Sequence, residues 1–270
     1  MPRFKLFIEY EGTRYSGWQI QKNARTVQGE IHEAIHRVFN TSEFEFSGSG
    51  RTDAGVHALR QVAHLDVKTV LAPEIIRMKL NDELPADINI LEVEKTTPTF
   101  HARHDAVSRA YLYQISRRRT AFGKRFVWWV KDRLEFKTML ECSKLFVGMK
   151  NFSSFTEDDP EEKSTNVLVE SVQMKEDGDL ILIRIRGSHF IWKMVRRIVG
   201  VLAEVGRGKL SFDDVRRFLT TKSDVPAKLT APPSGLFLEQ VLYKGDLPLE
   251  ELHPTLHISS IGSVHAKKQR

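Results

Sequence analysis

A chain of 270 residues, 41% of them hydrophobic, is long enough to bury a substantial core as one large or two ordinary domains. Its 41 Lys and Arg against 35 Asp and Glu leave a formal charge of +6, which favours a polyanionic partner. The single cysteine, Cys142, excludes an intrachain disulfide and a cysteine-cluster metal site, and the lack of an apolar leader or membrane-length run sets the expectation of a cytoplasmic protein with no membrane partner.

Phe4, Leu6, Ile8 and Tyr10 alternate with Arg3, Lys5, Phe7 and Glu9, the period of a half-buried strand. Thr26 is placed to cap a helix in which Val27, Ile31, Ala34, Ile35, Val38 and Phe39 keep helical spacing up to Asn40. A short strand over residues 44–47 and a second over 61–67 flank a glycine-rich loop. Pro73 opens a helix carrying Ile75, Ile76 and Leu80, and Ile88, Ile90 and Val93 follow Pro85 as a strand.

The chain then begins again, with Tyr111, Tyr113 and Ile115 alternating along a strand that starts near residue 109. A helix is predicted over 137–147, ending at Gly148, with Met139, Cys142 and Phe146 inward. Residues 150–166 are polar and partly acidic and read as a loop. Strands over 167–174 and 180–186 are joined through Asp177-Gly178, a hairpin signal. Ser188 is placed to cap a long helix whose apolar face runs through Phe190, Ile191, Met194, Val195, Ile198, Val201, Leu202 and Val205 to Gly206. Ser211 with Asp214 opens a shorter helix, and 236–243 closes the pattern as a strand.

Both halves therefore read βαββαβ, which predicts an α+β fold of two ferredoxin-like units with antiparallel sheets and a cleft between them. The expected bounds are 1–105 for the first unit, 106–245 for the second and 246–270 for a basic tail. No residue-level repeat is visible, so the duplication is architectural. Asp53 falls on the loop between the middle strands of the first unit, and the expected cleft would bring it toward Arg184, Arg186, Arg196 and Arg197 of the second.

That loop, Phe46-Ser47-Gly48-Ser49-Gly50-Arg51-Thr52-Asp53-Ala54-Gly55-Val56-His57-Ala58, sets a carboxylate two residues from a guanidinium among three glycines, which permit positive φ or close approach of a ligand. From these residues alone the favoured reading is an ordinary turn in which Asp53 bonds neighbouring amides, because Gly, Ser and Asp cluster in turns far more often than in active sites.

Four further pieces join it: Tyr10-Glu11-Gly12 with Gly17-Trp18-Gln19; Phe100-His101-Ala102-Arg103 before Arg109-Ala110-Tyr111; Phe190-Ile191-Trp192-Lys193-Met194-Val195-Arg196; and Gly235-Leu236-Phe237-Leu238-Glu239. With Gly50-Arg51-Thr52-Asp53-Ala54-Gly55-Val56-His57, in this order and spacing, the chain over residues 3–243 resembles the TruA family of tRNA pseudouridine synthases. The resemblance implies an isomerase that acts on the anticodon stem-loop of tRNA, around positions 38 to 40, as a homodimer and without cofactor or metal. It implies Asp53 as the catalytic aspartate, Tyr111 as the active-site tyrosine and Arg196 as the arginine paired with the carboxylate. Arg51, Thr52 and Tyr111 are the expected substrate contacts. Arg60 and Asn166 depart from the family's usual glycine and arginine and bear on substrate detail.

The chemistry suits these residue types. Breaking uracil N1–C1′ and joining C1′ to C5 makes C1′ electron-poor, so a carboxylate serves as nucleophile much as in retaining glycosidases, or removes a ribose proton on a glycal route; the sequence leaves both open. A guanidinium beside a buried aspartate favours its charged form. An aromatic face stacks a displaced uracil, a phenol hydroxyl serves proton transfer from C5, and Arg51 is the candidate to fill the space left by an extruded base. Plainer readings stand beside these: Tyr111 as a core tyrosine, Arg196 as an exposed helix arginine, Arg51 as a solvated charge. The groups Arg117-Arg118-Arg119, Lys124-Arg125, Arg196-Arg197, Arg216-Arg217 and Lys267-Lys268 suit phosphate contacts. His57, His64, His101 and His104 lack ligand spacing, and Trp128-Trp129 reads as packing rather than base stacking. The rival functions are a non-catalytic RNA-binding protein of RRM-like topology and a hydrolase using Asp53 on another glycosidic bond.

Overall fold

The computed structural model describes residues 1–157 and 164–257. Its first half runs β1 (Arg3–Tyr10), α1 (Val27–Phe39), β2 (Phe44–Gly48), β3 (His57–Val67), α2 (Pro73–Glu83) and β4 (Ile88–Thr96), the expected order. Thr26 caps α1 by accepting from the Gly29 amide at 3.2 Å, and Asn40 ends the helix in the left-handed region at φ 47°. The second half runs β5 (Ala106–Ser116), β6 (Trp128–Trp129), α3 (Phe136–Ser143), β7 (Gly148–Asn151), β8 (Asn166–Asp177), β9 (Leu180–Gly187), α4 (Met194–Gly206), α5 (Phe212–Thr220), α6 (Val225–Lys228) and β10 (Leu236–Tyr243). The Ser211 and Asp214 capping box forms as expected, whereas the short strands β6 and β7 lie outside the sequence prediction.

One prediction needs correcting. The helix expected from Ser188 begins only at Met194, after Lys193 in the left-handed region at φ 60°. The Ser188 amide donates to Leu168 O at 3.0 Å and its carbonyl accepts from Arg109 Nη1 at 3.0 Å. Both groups are committed to distant segments, so residues 188–193 form a loop and Phe190 and Ile191 leave the helical face.

Among the described residues all ten strands belong to one sheet, ordered β4-β1-β3-β10-β5-β9-β8-β7, with β2 on β3 and β6 on β5. Pairing is antiparallel except at β3–β10 and β5–β6. The β3–β10 contact, Phe237 opposite His57 and Leu238 opposite Ala58, joins the two halves.

Alternation sorts the residues between two faces. Tyr113 and Ile115 of β5 and Ile181, Ile183 and Ile185 of β9 pack with α3, α4 and α5, while the β1, β3 and β4 side chains pack with α1 and α2. Tyr111 touches both clusters and so marks the seam. Leu112, Leu180, Leu182 and Phe237 point to the other face, where Leu252 covers them. On that back face Arg184 makes a two-pronged pair with Glu239, at 2.6 and 2.7 Å, and also donates to the carbonyls of Leu249, Glu250 and Glu251. The first part of the expected tail is thus strapped to the sheet; Lys267-Lys268 lies outside the described residues.

Candidate active site

The Gly48–Val56 loop is anchored by β3 and by Trp18. Ser49 N donates to Val62 O at 2.7 Å, its hydroxyl to Gln61 Oε1 at 2.6 Å, and Gln61 Nε2 to Gly50 O at 3.2 Å. Trp18 N donates to Thr52 O at 3.1 Å, and the Trp18 ring lies so close to Gly48 that a Cβ there would come within 2.6 Å of it. Gly55 turns the chain at φ +77°, and Val56 N donates to Asp53 O at 3.1 Å. A Cβ on Gly50 would meet nothing within 4 Å, so this glycine is open toward whatever enters.

Asp53 stands on the wall of a cleft of about 1400 Å³ that Arg51, Tyr111, Phe190, Trp192 and Arg196 also line. Arg196, on the first turn of α4, donates from Nη1 to Asp53 Oδ2 at 3.1 Å and from Nε to Ala231 O at 2.7 Å. Its position is fixed from behind, because a Cβ on Gly200 would lie 1.7 Å from Leu229 O, so α4 rests directly on residues 229–231. The pair is half-buried, with side-chain exposures of 24% for Asp53 and 13% for Arg196. Asp53 Oδ1 has no hydrogen-bond partner among the described residues and is the oxygen left for a ligand.

Tyr111 sits opposite Leu238 of β10 and Ile185 of β9. Burial, opposed by the Arg109 charge and assisted by Asp53, pushes its hydroxyl up to about 12, so it carries its proton at neutral pH. Phe190 stands edge-on to its ring, with centroids 5.1 Å apart. Arg51 is exposed at the cleft and makes no hydrogen bond or ion pair among the described residues. Thr52 also borders the cleft, but its hydroxyl is buried against Tyr10 OH at 2.8 Å. Asp53, Tyr111 and Arg196 thus come together, Arg51 stands at their edge, and the Thr52 side chain is committed elsewhere.

Residues 6–105 and 142–244 match the family model described as tRNA pseudouridine synthase. The chain belongs to the tRNA pseudouridine synthase family. The tRNA pseudouridine synthase A of Rhodopseudomonas palustris (strain BisA53) is 39% identical over 247 residues, covering 90% of this chain and all of that protein. Its counterpart in Parabacteroides distasonis is 36% identical over 253 residues, 93% of this chain and all of its own length. That of Brucella ovis is 38% identical over 248 residues, 90% of this chain and 98% of its own. The protein is accordingly an isomerase that acts on tRNA, forming pseudouridine.

Within this tRNA-modifying fold, the other arginines expected in the cleft lie elsewhere. Arg184 is on the back face, Arg186 pairs with Glu170 at 2.7 Å, and buried Arg197 pairs with Glu157. The cationic groups at 117–118, 125 and 216–217 are in surface ion pairs, Arg117 with Glu176, Arg118 with Asp179, Arg125 with Glu11, and Arg216 and Arg217 with Asp213 and Asp214. Arg60 lies over the Phe7 ring at 4.1 Å, and Asn166 pairs with Asn151 between β7 and β8, so neither departure lines the cleft. His57 Nδ1 accepts from Gly12 N and its Nε2 donates to Arg125 O, each at 3.0 Å, while His64 Nδ1 accepts from Ala102 N at 3.2 Å. Trp128 packs edge-on to Tyr113. No helix among the described residues is long and apolar enough to cross a membrane.

The sequence reading missed Arg109 and Gln61 as builders of this site. Arg109 shares strand parity with Tyr111, Tyr113 and Ile115, so a charge stands on the core-facing side of β5; that breach of the alternation was the available signal.

Proposed function

We propose that this isomerase converts uridine to pseudouridine in the anticodon stem-loop of tRNA, around positions 38 to 40, with Asp53 as the group that meets the sugar. The observation that carries the reading is the Asp53–Arg196 pair on a cleft wall, with Oδ1 unengaged and Tyr111 beside it. Arg196 balances the carboxylate charge through one oxygen and leaves the other for C1′ or a ribose proton. As N1–C1′ breaks, the detached uracil turns against the Tyr111 face, and C5 joins C1′. The C5 proton leaves by way of the Tyr111 hydroxyl. Because burial keeps that hydroxyl protonated, it passes its own proton on as it receives one, and N1 gains a proton in the product.

The target nucleotide is extruded from its stack into the cleft, and exposed Arg51 fills the vacated place. Thr52 acts through the wall it forms rather than through its hydroxyl. The strand orders β4-β1-β3-β2 and β10-β5-β9-β8 support two ferredoxin-like units, 1–105 and 106–245, sharing the observed sheet, with the cleft at their seam. The working form is a homodimer, as the resemblance implies; light scattering that gives the 31.1 kDa monomer mass at assay concentrations contradicts it.

The test is release of tritium from tRNA carrying C5-labelled uridine, with the product analysed as nucleoside. The wild type releases tritium and forms pseudouridine; Asp53→Ala falls at least about 10⁴-fold, the scale of losing a reacting side chain, while keeping its melting temperature. Free uracil as product would instead indicate a hydrolase.

A further inference from the structure

Arg109 stands two residues before Tyr111 on β5, and its guanidinium donates to four backbone carbonyls drawn from three segments. Nη1 reaches Ala106 O at 3.1 Å and Ser188 O at 3.0 Å; Nη2 reaches Ser49 O at 3.2 Å and Arg103 O at 3.0 Å. Three segments used in the proposed chemistry meet at this guanidinium. Ser49 begins the loop that presents Asp53, Ser188 begins the loop that leads into Arg196, and Arg109's own strand carries Tyr111. The Arg103 and Ala106 carbonyls tie in the connection between the two halves of the chain.

No carboxylate pairs with Arg109 among the described residues, so carbonyl dipoles satisfy this half-buried cation. A surface ion pair would add little and tolerate replacement. A planar fork feeding four fixed acceptors is different, because an ammonium has three donors, no plane and a shorter span. The bonds are also poorly replaceable by secondary structure. The Ser49, Ser188 and Arg103 carbonyls lie outside the strands, and the loops that begin at Ser49 and Ser188 both line the cleft.

We propose that Arg109 is a positioning residue for the isomerisation: its guanidinium holds the Asp53 loop, the Tyr111 strand and the loop into Arg196 at one fixed span. This rests on the assignment of Asp53, Tyr111 and Arg196 given above. Arg109 itself makes no bond to the reacting atoms. Its effect is geometric, and a displacement of about 1 Å between reacting groups costs on the order of 100-fold in rate.

The experiment measures single-turnover tritium release, tRNA affinity, melting temperature and backbone hydrogen exchange for wild type, Arg109→Lys, Arg109→Ala and Asp53→Ala. Arg109→Lys is expected to slow turnover by about 100-fold while tRNA affinity changes by less than about threefold. Exchange at residues 49–54 and 188–193 is expected to quicken, and methylguanidinium at millimolar concentration to restore part of the rate of Arg109→Ala. Wild-type turnover in Arg109→Lys overturns the inference. So does a rate loss matched by lost tRNA affinity, or a loss with unchanged exchange in both loops and no recovery with methylguanidinium. An inactive Asp53→Ala beside a fully active Arg109→Lys removes only the role of Arg109, whereas an active Asp53→Ala removes the site assignment and the inference with it.

Discussion

Two arginine–carboxylate pairs lie on opposite faces of the same sheet, and they are built differently. On the back face Arg184 and Glu239 meet through both prongs at 2.6 and 2.7 Å, with side chains only 4% and 5% exposed. The remaining Arg184 donors are taken by Gln173 and by the carbonyls of residues 249–251. In the cleft Arg196 and Asp53 meet through one contact at 3.1 Å and leave a carboxylate oxygen without a partner among the described residues. A fully desolvated pair has to be saturated, because each unmet bond inside the protein is a net cost. A pair that is to act on a ligand has to be held in place and left incomplete. The difference fits a structural role for the first pair and, for the second, the role in chemistry proposed for Asp53 and Arg196.

The sharpest break of this contrast is at Glu239. Glu239→Ala leaves the Arg184 charge buried without its counter-ion and should cost about 3–5 kcal/mol of stability, seen as an earlier urea midpoint, while turnover per folded molecule is retained. Lost turnover at unchanged stability would reverse the assignment of the two pairs.

Tyr111→Phe comes next. It keeps the ring that faces the cleft and removes only the hydroxyl, so tRNA affinity should hold while tritium release slows about 100-fold, within the usual range for a positioned proton-transfer group. Unchanged release would reduce Tyr111 to a stacking face.

The smallest effect concerns the back of the loop rather than either pair. Burial lowers the His57 and His64 imidazoles below their ordinary 6.5, so both stay neutral in the folded protein to lower pH than in the unfolded chain. The unfolded state then binds protons first, and stability is full above about pH 6.5 and falls as pH drops below it. Melting temperatures between pH 8 and pH 5 should decline on the acid side, less steeply in His57→Gln. An equal slope in that variant would remove His57 as a source.

Much of this was legible in the chain. The alternation in β1 and β5, the Asp177-Gly178 hairpin, the Thr26 cap and the Ser211 box are local signals, and the structure keeps them. The loop at 188–193 was not legible, because Leu168 and Arg109 decide it and both are far away in sequence. Nor was the insertion of β10 between β3 and β5, which follows from long-range pairing that no local pattern encodes. The site was half legible. Arg184 was grouped with Arg196 although its parity on β9 sets it with Leu180 and Leu182, opposite Ile181, Ile183 and Ile185. Reading that parity places Arg184 on the back face without coordinates.

The Asp53–Arg196 pair is assigned to chemistry and the Arg184–Glu239 pair to stability, and the same substitution at both tests this division most directly. Arg196→Lys and Arg184→Lys each keep the charge and lose the planar fork. Melting temperature and tritium release per folded molecule, measured side by side, should separate them. Arg196→Lys is expected to lose at least about 100-fold in release with its melting temperature nearly unchanged, and Arg184→Lys to melt earlier with release near wild type. Near-normal release in a folded Arg196→Lys, or lost release in a folded Arg184→Lys, would contradict the account.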